Sequence, residues 1–167
     1  MSDHVLGYGV FSVGGVDIAL TRGGGQFTIE RNYKEVLADG DYGPVMGRIR
    51  KDGSRAKLTV RALEIISANI PKMYPAVSLD TTTVSGTATI TGAVDIVTAD
   101  YNDVVFTGKT ASGKSVIITL EDAINLENID WPLIDKDEVV AELTYTAAYT
   151  EATRGTVEPW SVDFVDA

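Results

Sequence analysis

Apolar and polar positions alternate with a period of two through most of the chain, the spacing that sends successive side chains to opposite faces of a strand. The longest run covers residues 139–150. Val139, Ala141, Leu143, Tyr145, Ala147 and Tyr149 fall on one face, and Val140, Glu142, Thr144, Thr146, Ala148 and Thr150 on the other, which predicts a half-buried strand about twelve residues long. The same alternation predicts strands over residues 8–13, 16–21, 26–36, 56–63, 84–92, 103–107, 116–120 and 160–164. Turn chemistry separates them: Gly14-Gly15 in a two-residue hairpin position, Arg22-Gly23-Gly24-Gly25, Asp52-Gly53 and Asn102-Asp103. Two short helices are expected. Leu63, Ile66, Ile70 and Met73 recur at helical spacing around Ser67, a candidate N-cap, with Pro71 limiting the length; residues 119–122 form a weak capping box before 123–126. No linker or repeat divides the 167 residues, so one domain is expected, mainly β, an antiparallel sandwich or barrel-like fold with one or two short helices.

The stretch "GKTASGKS", residues 108–115, matches the P-loop pattern through Gly108, Gly113, Lys114 and Ser115. A P-loop needs a strand leading in and a helix leading out, with the helix N-terminus aimed at the phosphates. Here the following Val116-Ile117-Ile118-Thr119-Leu120 is β-branched and reads as a second strand. The motif is therefore expected to be a hairpin tip, with no nucleotide and no other cofactor or metal. Asp39-Gly40-Asp41-Tyr42-Gly43-Pro44 brackets a glycine with carboxylates but lacks the later bidentate Glu of a calcium loop, and reads as an ordinary turn.

Composition narrows the chemistry further. The chain has no cysteine and a single histidine, His4, which removes disulfides, thiolate metal sites and Ser/His/Asp or Cys/His nucleophilic sets. No catalytic constellation converges in sequence, so a non-enzymatic role is expected. No apolar run approaches a membrane span, and the N-terminus lacks the basic-then-apolar order of a signal peptide, giving the expectation of a chain without a membrane anchor, made in a cytoplasm. The net charge is −10, unevenly spread: residues 1–75 carry a net of +2 and residues 76–167 a net of −12. The bases gather in Arg48, Arg50, Lys51, Arg55, Lys57 and Arg61, either as a solvated strand pair or as a surface for the acidic half of another copy. An overall anion whose basic cluster lacks aromatics is not built to hold nucleic acid tightly.

Long strands with Thr-rich polar faces leave edges that recruit other strands unless covered. Three stretches carry a resemblance at this point. "GVDIALTRGGGQFTIERNYKEVLADGDYGPVMGRIRKDG" (15–53), "AKLTVRALEIISANIPKMYP" (56–75) and "ITLEDAINLENIDWPLIDKDEVVAELTYTAAY" (118–149) follow one another in the order and pattern of the tail tube proteins of long-tailed bacteriophages, which the chain resembles over most of its length. The resemblance implies a β-sandwich virion subunit. Six copies would form a ring, their inner sheets joining into one ring-wide β-barrel, and the rings would stack into the hollow tail channel for genome delivery. The partners it implies are other copies of the chain, the tape measure, tail terminator and distal tail proteins, and DNA in transient, non-adhesive passage; the location it implies is the virion tail after assembly in the host cytoplasm. It also implies an inter-subunit loop, expected over residues 37–55 with Asp39, Asp41, Tyr42, Arg48, Arg50, Lys51 and Asp52, and an acidic lumen for which Glu30 and Glu142 are the candidates. The alternative weighed beside it is a carbohydrate-binding or adhesion module, in which Trp131, Trp160, Tyr42 or Tyr101 would form an aromatic platform.

Overall fold

A computed structural model describes residues 5–18, 21–63 and 65–165; His4, residues 19–20 and Glu64 lie outside the described residues. Ten strands follow in chain order: β1 (Val5–Val13), β2 (Val16–Asp17), β3 (Thr21–Glu35), β4 (Ile49–Ala62), β5 (Val77–Asp80), β6 (Thr89–Gly92), β7 (Asn102–Thr110), β8 (Ser115–Asn125), β9 (Ala141–Thr146) and β10 (Trp160–Val165). One helix of a single turn, α1 (Ile70–Met73), follows a 3-10 turn at Ser67–Asn69. The fold is mainly β, as the period-two pattern predicts.

The main sheet is antiparallel throughout and curls into a half-barrel in the order β2-β1-β7-β8-β9-β4-β3, with β10 added to β8. Its curl divides it into two limbs. In the first, residues 115–120 of β8 pair with β7 on one side and β10 on the other; in the second, Ile124 and Asn125 of the same strand pair with Thr146 and Tyr145 of β9. Asp122, at φ +46°, sits at the crossover, where a register shift lets β8 leave one limb for the other. Its amide donates to Asp103 Oδ1 (3.1 Å), and the Glu121 amide donates to the Pro159 carbonyl (2.9 Å). The helix expected after 119–122 is therefore strand: the capping-box spacing loses to the β-branched run before it.

The limbs close on a core in which Phe11, Val13, Val104 and Leu120 face Leu58, Val60, Leu143 and Tyr145, all buried. Phe11 and Tyr145 cross at 5.8 Å between ring centres, and Phe27 meets Trp160 edge-on at 6.0 Å. Each such side chain contributes on the order of 1.5–3 kcal/mol by leaving water. The helical turn plugs one end of this core with Ile70 and Met73. It is held there by Asn125 Nδ2 donating to the Met73 carbonyl (2.8 Å), Tyr145 OH to the Lys72 carbonyl (3.3 Å) and Lys72 Nζ to the Gly14 carbonyl (3.1 Å). Ser67 is not its cap; Ile66 and Asn69 occupy the cap positions without side-chain bonds, and Pro71 sits in the first turn.

Several expected boundaries move. Gly14 and Gly15 form the two-residue hairpin turn, at φ +55° and +75°. Of the strand expected over 16–21, Val16–Asp17 form β2 and Thr21 opens β3. The glycine run 22–25 and Asp52-Gly53 are not turns but irregularities inside β3 and β4, with register shifts at Thr21/Gly25 and at Asn32/Tyr33. Asn102 and Asp103 begin β7. The strand expected over 84–92 shortens to Thr89–Gly92, because residues 84–87 form a turn, with the Thr87 amide on the Val84 carbonyl (3.1 Å) and Gly86 at φ +77°. The twelve-residue strand over 139–150 shortens to Ala141–Thr146; past it, the Ala147 amide still bonds the Ala56 carbonyl (3.0 Å) and the chain then turns through 150–157.

Candidate functional site

The P-loop match is a hairpin tip. Lys109 and Ser115 pair across it, the Thr110 amide donates to the Lys114 carbonyl (2.9 Å), Thr110 Oγ1 and Ser112 Oγ share a hydrogen bond (3.0 Å), and Gly113 turns at φ +92°. Ser115 opens β8, so no helix N-terminus faces the loop. Asp39 and Asp41 also form a turn. Asp41 Oδ2 accepts from the Ala38 amide (2.7 Å) and from Arg48 Nη1 (2.8 Å), so this carboxylate closes its own loop. Among the described residues no cluster of His, Asp and Glu is arranged to hold a metal ion, and no helix is long and apolar enough to cross a membrane.

What the fold presents instead is unpaired sheet. Among the described residues, β3 ends the strand order and has no partner on its outer side along its 15-residue length, and β10 pairs only with β8. Among the described residues β1 pairs with β2 at Ser12 and Val13, the Ile18 amide adds a bond to the Phe11 carbonyl (2.8 Å), and no strand covers that side of Val5–Val10. Where β1 and β3 approach, the limbs gape into an apolar cleft of about 350 Å³ lined by Tyr8, Phe11, Phe27, Leu58, Phe106 and Ile118. Rows of unpaired backbone N–H and C=O groups bordering apolar side chains are the chemistry of strand addition.

The second feature is an arm. β9 covers β4 only from Lys57 to Ala62, whereas β3 and β4 continue together to Glu35 and Ile49. Residues 31–35 and 49–54 are thus a two-stranded ribbon beyond the sheet, and 36–48 form its tip. The expected inter-subunit loop over 37–55 is corrected accordingly: Arg50, Lys51 and Asp52 lie in β4, and Asp39, Asp41, Tyr42 and Arg48 in the tip. The ribbon exposes Tyr33 and Ile49, and the tip exposes Val36 and Leu37 and leaves Met46 98% and Tyr42 fully exposed. Apolar side chains of this size on a projecting ribbon are a candidate contact surface. The arm is braced at its root by Glu158, which accepts from Trp160 Nε1 (2.6 Å) and Ser54 Oγ (3.3 Å) and pairs with Lys51. Sequence reading missed Glu158; its only signal is a carboxylate two residues before a tryptophan.

The structure brings Glu30 and Glu142 to one outward face of the second limb, and pairs each with a base. Lys57 Nζ meets Glu30 Oε1 at 2.8 Å and holds its carboxyl below the usual carboxylate range; Arg61 Nε meets Glu142 Oε2 at 3.0 Å. Thr59 and Thr144 share a hydrogen bond between them (3.1 Å). With Arg55 opposite Glu30, this face sets three bases against two carboxylates and is not acidic.

The acid lies elsewhere, in the irregular segment 126–140 that leads into β9. It holds Glu127, Asp130, Asp135, Asp137 and Glu138 against Lys136 alone. Two anchors fix it: Trp131 Nε1 donates to the hydroxyl of buried Tyr74 (3.2 Å), and Arg22 reaches Glu138 (2.9 Å) and Asp137 (3.5 Å). Between them Leu133 and Ile134 stand exposed, beside a polar hollow lined by Glu127, Asp130, Val140, Glu142 and Thr144. Both tryptophans are therefore tied into the fold, Trp131 to Tyr74 and Trp160 to Glu158 and Phe27.

No family model matches the chain, and no curated protein matches it significantly.

Proposed function

We propose that this chain is a structural, non-catalytic subunit that self-assembles, and that it serves as a tail tube protein of a long-tailed phage or phage-like particle, located in the virion tail. The observation that carries the reading is the outer edge of β3, which no other described strand covers along Thr21–Glu35 and which is continuous with an apolar arm. A monomer with such an edge is poised to add strands, and natural folds cover or blunt edges of this length unless a partner supplies the cover. The edges of β3 and β10 lie on different limbs, so copies joining through them make a heterologous contact, which closes a ring or grows a filament. The sequence resemblance to tail tube proteins selects the ring and the stacked tube.

The two tryptophans, held inside hydrogen bonds, favour this reading over an aromatic carbohydrate platform. Glu30 and Glu142 carry less of it than the sequence suggests, since their face is charge-balanced; smooth passage of DNA in this proposal rests on the overall −10 charge. Negative-stain microscopy of the purified protein over a range of concentrations is the test. Rings or tubes of uniform width support the proposal, and a protein that stays dispersed at every concentration and salt removes it.

A further inference from the structure

The register of the second limb places two unlike surfaces at its opposite ends. At one end is the arm, beyond the Glu30–Arg55 pair; toward the other, alongside β9 at Glu142 and Thr144 and leading into the Ala62–Ala141 pair, is the segment 126–140. The arm carries Lys34 directly across from Arg50, and neither, nor Arg31, has an ion-pair partner among the described residues. Like charges directly opposite on a ladder repel, so an anion between them relieves the pair. Around them stand Val36, Leu37, Met46 and Ile49, exposed and without cover. The far segment answers both properties. Glu127, Asp130 and Asp135 have no base within the described residues, and Ile129, Leu133 and Ile134 are exposed on a platform pinned at Trp131 and at Asp137/Glu138.

We infer that the arm of one copy docks on the 126–140 platform of a second copy, head to tail along the β3–β4 direction, with Lys34 and Arg50 facing Glu127 and Asp130. This rests on the self-assembly reading above and adds to it the receiving surface and the polarity of the contact. An arm cannot reach the platform of its own chain, because its paired ribbon runs away from β9, the strand that the platform flanks. Docking is therefore between copies, and each docked copy presents a further arm at its far end, so the contact propagates. The charge steers the encounter and the apolar side chains supply burial, so assembly weakens with salt.

Two full-chain experiments test it. The chain has no cysteine, so Met46→Cys in one copy and Leu133→Cys in another can be joined by a short bis-maleimide without background. The mixed pair is expected to cross-link at least about tenfold faster than either variant with itself, a ratio worth about 1.4 kcal/mol. In the second, K34E/R50E and E127K/D130K are each expected to raise the concentration for half-assembly about tenfold or more, and an equimolar mixture to restore it, since each then offers the other a matched arm and platform. Equal rates for mixed and like pairs overturn the docking, as does wild-type assembly that neither charge reversal alters; both leave the tube reading standing. A protein that cross-links in the mixed pair but forms no rings or tubes keeps the docking and sinks the tube.

Discussion

Gly9 and Gly108 lie opposite one another across β1 and β7, with the Phe106 ring against both. A Cβ at Gly9 would come within 2.3 Å of the Thr107 carbonyl oxygen and 2.9 Å of the Gly108 Cα, so the backbones themselves would have to part. Gly9→Ala is expected to destabilise the fold by about 2–3 kcal/mol in urea unfolding, through overpacking. Gly15→Ala provides the contrast: its added Cβ meets open space, and only the left-handed φ of +75° resists it, at about 1 kcal/mol. Equal costs would show that the close approach at Gly9 is not the constraint. Tyr145 makes a second residue-level case. Burial, and after it the charge of Tyr74, pushes its hydroxyl well above the ordinary tyrosine range, whose reference value is 10.0. The folded state then holds a proton that the unfolded chain releases above that value. Stability from this group is complete below pH 10 and falls as pH rises beyond it. Urea midpoints measured from pH 8 to 11.5 are expected to drop above 10, and Tyr145→Phe to flatten the drop. A wild-type profile as flat as the variant's would contradict the assignment.

At the scale of elements, the arm is separable from the fold. In the described strand ladders its ribbon residues pair with each other, Glu158 and Tyr149 brace the root at Lys51 and Ser54, and the buried core lies in the strands beyond it. Glu35 and Ile49 still face one another at the ribbon's end, so replacing residues 36–48 by Asn-Gly closes the hairpin with a two-residue turn. The shortened chain is expected to keep its thermal midpoint within about 2 °C, the shift of less than about 1 kcal/mol in a domain of this size, and to lose assembly; a large fall in midpoint would mean the tip is structural. These elements also show what the sequence could and could not convey. Alternation placed the core strands because inward residues such as Leu58, Val60, Leu143 and Tyr145 must be apolar. It reached the β3 half of the ribbon, through the strand over 26–36, and missed the β4 half at 49–54, where no periodic pressure acts. Glycine pairs at 14–15 and 24–25 look alike in sequence, yet one turns the chain and the other sits in a strand irregularity; only the partner strand decides. The acidic platform was legible as composition, but its anchoring depends on Trp131 meeting Tyr74 and Arg22 meeting Glu138, contacts 57 and 116 residues apart.

For the whole molecule, assembly turns on whether the free edge of β3 is covered by another copy. An edge strand in a dispersed protein has one side of its backbone in water, so alternate amides exchange quickly with solvent, while the same amides in a strand-paired assembly are protected. The most direct measurement is hydrogen exchange along Thr21–Glu35, read peptide by peptide at concentrations below and above assembly. Protection of alternate β3 amides is expected to rise when rings or tubes form, by at least about a hundredfold for groups newly bonded in a ladder. Exchange in β3 that stays fast in the assembled particle, or a protein that shows no assembly while its β3 amides are already protected, would contradict it.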